Sequence, residues 1–375
     1  MKQFAIGITI MLCVYAAVHF YVYQRLCLAL APSVGAKRMI AIAIVLLALA
    51  FVGGMILERS YSSNVSELVY KIGVSWLPFL LYGLLAIVAI DIVRLLNYFF
   101  HFLPSISVQT TRIMAFVVFA CIFVIVALGH RNAINTRIVQ LPLRIHKSVS
   151  GEKNVRIALV TDIHFGAIIN QAWEEKLVTL LQAQKPDVIL FCGDMVDGDI
   201  APVLRHNIGS HLQTLTPPLG LYAVFGNHEY IGGIEHVREY FKKINLPVLT
   251  DTVLTLANGM QIVGRNDRSS RMQRPLDSVM LNIDHTKPIV VLNHQPYDLN
   301  EAVAQGVDLH LSGHTHHGQL FPFNFITQAL FELSWGYLQK GDSHLYVSSG
   351  FGTWGPNVRV GNHPEIVLFD IEFDN

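Results

Sequence analysis

Five short polar clusters in the last two-thirds of the chain carry the residue types that bind divalent cations and handle phosphate. Each cluster follows a stretch with the composition of a β-strand. The clusters are Asp162-Ile163-His164, Gly193-Asp194, Gly226-Asn227-His228-Glu229, Asn293-His294 and Gly313-His314-Thr315-His316. Carboxylate, amide and imidazole ligands without a thiolate suit Mn, Fe, Zn or Co rather than a sulfur-seeking ion. The set therefore predicts two adjacent divalent cations that polarise a phosphate ester and activate water.

The spacing within the clusters indicates which side chains act together. Because alternate side chains of a strand point to the same face, Asp162 and His164 can reach one ion, and the two histidines of the last cluster can reach one ion or an adjacent pair. Asp194 follows a glycine that permits a tight turn, and its two oxygens can bridge two cations. Asn227 offers a neutral oxygen. Each cluster alone is more often a turn, a cap or a structural histidine, but five in this order favour one site.

The intervening segments alternate between apolar β-branched runs and helical patterns. We expect helices over residues 171–183 and 235–244, and a hairpin that joins residues 253–256 and 260–263 through Asn258-Gly259. Further strands are predicted at residues 155–160, 188–192, 221–225, 289–292, 307–311, 345–347 and 366–369. This alternation predicts sheets layered with helices, in which one sheet edge collects all five clusters.

The clusters resemble the motifs of the calcineurin-like metallophosphoesterases. That family carries Asp-x-His, Gly-Asp-x-x-Asp, Gly-Asn-His-Asp/Glu, a lone His and Gly-His-x-His. All five are complete here over roughly residues 155–373, with Gly193-Asp194-Met195-Val196-Asp197 as the second and His294 as the lone histidine. The stretch from Gly350 to Ile366 resembles a membrane-associated bacterial branch of the family.

The resemblance implies a fold, a pair of metal ions and a role for each residue. The expected fold is α/β (α+β), a four-layer sandwich of two mixed β-sheets flanked by helices. One metal would be held by Asp162, His164, Asp194 and His316, and the second by Asp194, Asn227, His294 and His314. His228 would stand beside the phosphate as a general acid or charge stabiliser. Asp197 would orient a metal ligand through a hydrogen bond.

Arg359 is a further candidate, read from its own chemistry rather than from the family pattern. It lies in a glycine-rich stretch, and its planar guanidinium can clamp a phosphate oxygen through paired hydrogen bonds. A solvated surface position is the alternative for this residue. The sequence therefore leaves a substrate-binding role for Arg359 as a hypothesis.

The first third of the chain has the pattern of a membrane domain. Residues 4–23, 39–57, 72–90 and 113–129 are uncharged, and each stretch is near the roughly 20 residues that cross a bilayer as a helix. We therefore expect four transmembrane helices in residues 1–130, a linker at 131–152 and the catalytic domain at 153–375. Five Lys and Arg residues in the first and third loops against three in the N-terminus and second loop favour an extracytoplasmic catalytic domain. Including Arg131, Arg137 and Arg144 reverses that balance.

Charge and cysteine content exclude some function classes. The formal net charge is zero, which argues against a basic surface built to hold nucleic acid. The four cysteines form no Cys-x-x-Cys pair, which argues against a thiolate zinc site or a disulfide framework. Neither observation indicates the oligomeric state or the identity of the metals.

The combined pattern predicts a phosphodiesterase or pyrophosphatase anchored in a bacterial inner or cell membrane. The anchor favours a lipid-linked or envelope substrate, such as a UDP-diacylglucosamine-type lipid A precursor. A phosphomonoesterase is one alternative, because the same two metals serve both reactions. A membrane sensor or transporter with a metal-binding soluble domain is another, although an intact ligand set favours an enzyme.

Overall fold

The structure, a computed structural model, describes residues 2–374. Its internal contacts divide the chain into two compact units, the first ending at Gly129 and the second beginning at His130. The first unit consists of helices, and the second combines sheets with helices. The five polar clusters all fall in the second unit.

The first unit contains the four uncharged stretches within four long helices. These are α1 (Lys2–Leu30), α2 (Val34–Ser60), α3 (Asn64–Phe100) and α4 (Val108–Ala133), whose last residues extend into the second unit. By length and composition, all four are able to cross a membrane. Helix α3 contains Pro78, which a membrane helix tolerates when neighbouring groups satisfy the freed carbonyl.

The second unit alternates strands with helices along the chain. Its strands are β1 (Arg137–Ser148), β2 (Asn154–Val160), β3 (Val188–Cys192), β4 (Leu221–Val224), β5 (Thr252–Thr255), β6 (Gln261–Gly264), β7 (Ile289–Leu292), β8 (Leu309–Ser312), β9 (Gly336–Lys340), β10 (Ser343–Val347) and β11 (Glu365–Asp374). Its helices are α5 (Gln171–Gln184), α6 (Ala201–His206), α7 (Asn227–Gly232), α8 (Ile234–Lys243), α9 (Leu276–Val279), α10 (Leu299–Ala304) and α11 (Asn324–Leu330).

The strands form two mixed sheets. The five-stranded sheet has the order β1-β11-β2-β3-β4, in which only the β11–β2 pair is antiparallel. The six-stranded sheet has the order β5-β6-β7-β8-β10-β9, with antiparallel pairs at its two edges, including the hairpin of β5 and β6. The parallel strands β2, β3 and β4, and likewise β7 and β8, therefore bring their carboxyl ends to the same edge of their sheet.

Three hydrophobic clusters give the second unit four layers. Leu159 and Leu190 of the first sheet and Val290 and Leu311 of the second belong to one buried cluster, so these faces of the sheets pack together. The outer face of the five-stranded sheet packs against α5 and α8, and that of the six-stranded sheet packs against α9 and α10. The predicted fold class, a four-layer sandwich preceded by four apolar helices, is confirmed.

Strand β1 lies where the sequence analysis expects a linker. Residues 137–148 pair in parallel with β11, from Arg137 opposite Glu365 onwards. The side chains of β1 alternate between two faces, as strand residues do. Leu143 and Ile145 are buried against the sheet core, while Arg144 between them is exposed. Charged residues and Pro142 obscured this alternation in the sequence. Proline is tolerated here because β1 is an edge strand.

Candidate metal centre

The five polar clusters begin where five parallel strands end. Asp162 and His164 follow β2, Asp194 follows β3, and Asn227 is the first residue of α7 after β4. In the other sheet, Asn293-His294 follows β7 and residues 313–316 follow β8. Since β2, β3 and β4 are neighbours, as are β7 and β8, the topology alone brings these side chains to one edge of the sandwich.

The candidate ligands are held by an uncommon backbone conformation. Asp162, His164, Asp194, His314 and His316 all have positive φ, between 46° and 72°. This left-handed region is unfavourable for residues other than glycine, and such residues concentrate at functional sites. The expectation that Asp162 and His164, and likewise the two histidines of the last cluster, share a face through strand alternation is therefore wrong. These residues lie in turns beyond the strands, and the turns themselves bring the side chains together.

Glycines in the motifs allow the loops to approach the carboxylates closely. A β-carbon on Gly313 would lie 2.1 Å from Asp162 Oδ2, and one on Gly226 would lie 2.2 Å from Asp194 Oδ1. Both distances are far shorter than any contact that a real β-carbon makes. The Gly-His and Gly-Asn pairs therefore have a steric reason, because any larger residue would displace a carboxylate of the site.

One group of ligand atoms joins the ends of β2 and β8. Asp162, His164 and His316 are all buried, and their ligand atoms lie within 4.8 Å of one another. His164 Nε2 is 3.0 Å from His316 Nε2, and His316 Nε2 is 3.4 Å from Asp162 Oδ1. The backbone N–H of His314 donates a bifurcated hydrogen bond to both carboxylate oxygens of Asp162, each at 3.0 Å from the nitrogen, which fixes the orientation of the carboxylate.

A second group joins the ends of β3, β7 and β8. Asp194, His294 and His314 have ligand atoms within the same 4.8 Å limit. His294 Nδ1 lies 2.8 Å from the carbonyl oxygen of Cys192, which turns Nε2 towards Asp194 Oδ2 at 3.0 Å. A histidine ligand whose other ring nitrogen bonds a carbonyl is a common arrangement at metal sites.

Asp194 lies between the two groups, and its Oδ1 atom accepts a hydrogen bond of 2.9 Å from the backbone N–H of His228, the residue after Asn227. The Oδ2 atom of Asp194 that contacts His294 is also 3.9 Å from His164 Nε2 in the first group. The Oδ1 atom of Asn227 is buried and accepts no hydrogen bond from any residue of the described chain. A buried amide oxygen without a donor is costly, and a cation would satisfy it.

Asp197 and His228 form a polar pair beside the first group. Asp197 Oδ1 is 3.2 Å from His164 Nδ1 and 3.3 Å from His228 Nδ1. The first contact leaves His164 Nε2 free to face His316. The side chain of His228 is 21% exposed, whereas those of His164 and His294 are fully buried. Solvent, and hence a substrate, can reach His228 more readily than these two candidate ligands.

The protonation states follow from burial and from neighbouring charges. Burial opposes the charge of Asp194, but His294 and two further imidazoles lower the pKa of its carboxyl far below the usual range. Burial and the nearby His294 lower the pKa of His314 to about 4, so its ring is neutral at pH 7, as a metal ligand must be. Burial disfavours protonated His228, yet Asp197 and Asp194 raise the pKa of His228 to about 9. A nearby divalent cation acts in the opposite direction.

Glu229 has a structural role that the sequence analysis did not assign. Its buried carboxylate accepts hydrogen bonds from the backbone N–H groups of Asp194 at 3.1 Å, Val196 at 2.9 Å and Gly226 at 2.6 Å. These bonds tie the loop after β3 to the loop after β4. The acidic fourth position of the Gly-Asn-His-Glu cluster was the available signal, but its partners come from another loop.

Arg359 is not placed to bind a substrate, so that hypothesis is wrong. Its side chain is fully buried, and Nη2 donates to the carbonyl oxygens of Ser349 at 2.7 Å and Gly352 at 2.6 Å. Nη1 donates to the side-chain oxygen of Asn362 at 3.0 Å. The glycine-rich stretch encloses the guanidinium instead of exposing it, because its carbonyl groups need a donor in the interior. Arg359 thus holds the loop behind His316.

The structure predicts that an Arg359→Met variant loses stability rather than substrate affinity. Removing the guanidinium leaves several buried carbonyl groups without a donor, which should lower the free energy of unfolding by about 3 kcal/mol or more. Thermal unfolding of the purified variant checks this, together with KM for a phosphodiester. A raised KM at unchanged stability would restore the substrate-binding role. Arg144→Met, at an exposed position on β1, is the matched control.

The donor set of the site fits divalent cations. Carboxylate and imidazole donors converge from two sheets, and one carboxylate lies between the two groups. The buried Asn227 oxygen has no hydrogen-bond donor in the described chain and carries no charge. Oxygen and nitrogen ligands of this kind match the borderline first-row ions.

Comparisons with known proteins identify several relatives. A metallophosphoesterase of Campylobacter jejuni is 34% identical over 232 residues, which cover 59% of this chain and 60% of that protein. A transmembrane protein with metallophosphoesterase domain from Danio rerio is 27% identical over 61% of this chain and 56% of its own length. The chain thus spans about 60% of the length of such relatives. The name of the Danio rerio relative and the four apolar helices support membrane association.

Solved structures also resemble parts of the chain. A NAD nucleotidase of Haemophilus influenzae aligns with a TM-score of 0.36 at 16% identity, over 56% of this chain and 46% of that one. A dimetal phosphatase from Danio rerio aligns with a TM-score of 0.31 at 11% identity, over 52% of this chain and 86% of that one.

The family assignment rests on a family model and on one relative covered almost completely. The model for calcineurin-like phosphoesterases matches residues 155–318, the segment that contains all five clusters. A metallophosphoesterase of Aquifex aeolicus is 30% identical over 260 residues, which cover 67% of this chain and 98% of that protein. The proteins of this family are metal-dependent phosphoester hydrolases. Because its motifs lie at one site and the match covers 98% of a relative, the chain belongs to the calcineurin-like metallophosphoesterase family.

Proposed function

We propose that the protein is a membrane-associated phosphoester hydrolase with a centre of two divalent cations. One observation supports this most strongly: Asp194 stands between two groups of ligand atoms, within 3.0 Å of His294 and 3.9 Å of His164. A single-metal site would need only one of these groups. The ions are proposed to be Mn, Zn, Fe or Co, because all donors are oxygen or imidazole nitrogen.

The side chains of the site have two proposed roles: some bind the ions, and others act on the substrate. Asp162, His164, Asp194 and His316 would hold one ion, and Asp194, Asn227, His294 and His314 the other. When bound, two such ions supply Lewis acidity towards phosphoryl oxygens and lower the pKa of water near neutrality. His228, the more exposed imidazole, would donate a proton to the leaving oxygen or stabilise its charge. Asp197 orients both His164 and His228 through their Nδ1 atoms.

The finer proposal is a phosphodiesterase or pyrophosphatase that acts on a lipid-linked or envelope phosphate. It is supported by the four apolar helices, which would keep the enzyme at a bilayer, and a UDP-diacylglucosamine-type lipid A precursor has the required chemistry. The distribution of Lys and Arg around the apolar stretches favours an extracytoplasmic catalytic unit. A C-terminal reporter fusion that is active only in the cytoplasm would contradict that orientation.

Metal removal tests the central proposal. Full-length protein dialysed against a chelator is expected to lose hydrolysis of bis-p-nitrophenyl phosphate by about 10²-fold or more, because the barrier is lowered by the ions. Added Mn²⁺ should restore it, and elemental analysis of the active protein should find about two ions per chain. Turnover that survives chelation without a stoichiometric transition ion would reject the proposal and favour a membrane sensor or transporter.

The same preparation distinguishes a diesterase from the phosphomonoesterase alternative. Turnover of bis-p-nitrophenyl phosphate is compared with that of p-nitrophenyl phosphate at saturating Mn²⁺. A higher kcat/KM for the diester supports the proposed class. A higher value for the monoester would reassign the enzyme as a phosphomonoesterase that uses the same centre.

A further inference from the structure

An exposed apolar surface lies beside the metal centre in the second unit. We define the docking surface by its six residues: Phe321, Phe323, Phe325, Ile326, Leu330 and Trp354, each between 40% and 66% exposed. Residues 318–331, which supply five of them, contain no charged side chain. Large apolar side chains grouped in this way mark interaction sites in soluble domains. Other exposed ones, such as Met272 and Leu281, lie on different elements.

The geometry shows that these side chains form one surface. The rings of Phe321 and Phe325 stand edge to face with centroids 5.6 Å apart. Gln319 Nε2 donates to the carbonyl oxygen of Trp354 at 3.0 Å, which holds the two loops together. Helix α11, which contributes Phe325, Ile326 and Leu330, has no buried residue. A short helix with an apolar, unburied face gains little from its own unit, so its composition fits an external partner.

The docking surface adjoins the metal centre at both ends of α11. The short helix of residues 316–318 packs against the start of α11, since a β-carbon on Gly318 would lie 2.3 Å from the backbone nitrogen of Asn324. At the other end, the ring of Phe331 lies 6.0 Å from that of His314. A molecule held by this surface would therefore have its polar part near the candidate ligands.

The place where the chain enters the second unit favours a lipid bilayer as the partner of the docking surface. Asn132, among the first residues of this unit, donates to the carbonyl oxygens of Arg359 at 2.9 Å and Asn362 at 2.5 Å. The backbone N–H of Phe321 bonds the carbonyl of Val360, in the same loop, at 2.9 Å. Thus the chain enters the unit next to the docking surface, at the last residues of a helix that is apolar enough to span a membrane.

We propose that the docking surface inserts into the bilayer interface. Phenylalanine, tryptophan and aliphatic side chains without charge have the composition of interfacial segments. The covalent connection keeps lipid at a high effective concentration, so even weak insertion is populated. The insertion itself is independent of the reaction. The docking surface would bring a phosphoester in the bilayer interface to the metal centre, and this role rests on the proposed function.

Depth measurement in vesicles tests the insertion directly. Full-length protein with Cys13, Cys27 and Cys121 replaced by serine and carrying Ile326→Cys is labelled with an environment-sensitive fluorophore and reconstituted into phosphatidylcholine vesicles. Leu281→Cys, on another exposed element, is the matched control. We expect blue-shifted emission at position 326 with quenching by nitroxide-labelled acyl chains, and quenching by aqueous iodide at position 281.

Two results would overturn the inference. Iodide quenching at position 326 equal to that at 281 would show that the surface stays in water. The second result is that position 326 is shielded from both quenchers and that the protein in detergent has a doubled mass, which Ile326→Glu abolishes. This would show that a second copy of the chain covers the surface.

A paired substrate assay tests the use of the surface. Phe325→Glu combined with Ile326→Glu should lower hydrolysis of vesicle-borne phosphatidyl-p-nitrophenol by about tenfold or more while leaving soluble bis-p-nitrophenyl phosphate within about twofold. Because α11 has no buried residue, the fold should persist. Equal loss on both substrates, or no loss on either, would contradict the role in substrate access. If the wild type hydrolyses neither substrate, the proposed function fails, and the depth measurement still decides the insertion.

Discussion

An Asp194→Asn variant is expected to lose about 10³-fold or more in kcat/KM for bis-p-nitrophenyl phosphate. Asp194 Oδ2 lies 3.0 Å from His294 Nε2 and 3.9 Å from His164 Nε2, so its carboxylate would contact both ions of the proposed centre. Asparagine has the same shape but lacks the negative charge and one of the two oxygens. The loss should therefore appear in metal occupancy as well as in turnover.

Steady-state kinetics at saturating Mn²⁺ and elemental analysis measure the two effects of Asp194→Asn. Asp277→Asn, on α9, changes the same chemical group outside the metal centre and should retain wild-type activity. Thermal unfolding shows whether the variant keeps its fold, since the backbone N–H of Asp194 bonds Glu229 in either case. Wild-type turnover of Asp194→Asn would reject the bridging role, and with it the two-ion centre as described.

A His228→Ala variant should lose about 10²-fold or more in kcat while retaining its bound metal. His228 is partly exposed, and the contact of its side chain is with Asp197 rather than with the shared carboxylate oxygen of Asp194. Its expected role is to protonate or stabilise the leaving oxygen. The loss should then be larger for an alkyl leaving group than for p-nitrophenolate, which leaves readily without a proton.

The competing role of His228 is that of a metal ligand, because a nitrogen of its ring lies within 4.8 Å of ligand atoms of His164 and Asp194. Elemental analysis separates the two roles. Loss of metal in parallel with activity would make His228 a ligand, and an equal loss for both classes of leaving group would make it a charge stabiliser rather than an acid. His285→Ala, at an exposed position, is the control.

The position of the centre follows from the sequence, because its causes are local. A buried strand such as β3 is recognisable from its own apolar run, and Asp194 is two residues beyond its end. Once several such strands lie parallel, their carboxyl ends must meet. The residue types, their order and the strand ends were therefore sufficient to predict which side chains gather, although the roles of those side chains stay predictions.

Other features depend on partners distant in the chain. Strand β1 is completed by β11, more than 200 residues later, and its solvent-facing charges hide the apolar alternation. Arg359 resembles a surface residue until the carbonyl groups of residues 349–352 enclose it. The left-handed conformation of Asp162 is imposed by its surroundings, among them the backbone N–H of His314 that fixes its carboxylate. Local composition carries no signal for such contacts.

Glu229 links two of the ligand loops through the protein itself. Because its carboxylate joins the backbone at Asp194 and Val196 to that at Gly226, the spacing of these loops does not depend on a cation between them. We therefore expect ions to leave and re-enter a scaffold that stays folded. Such a protein would take up whichever suitable transition metal its compartment supplies, and its activity would track that supply.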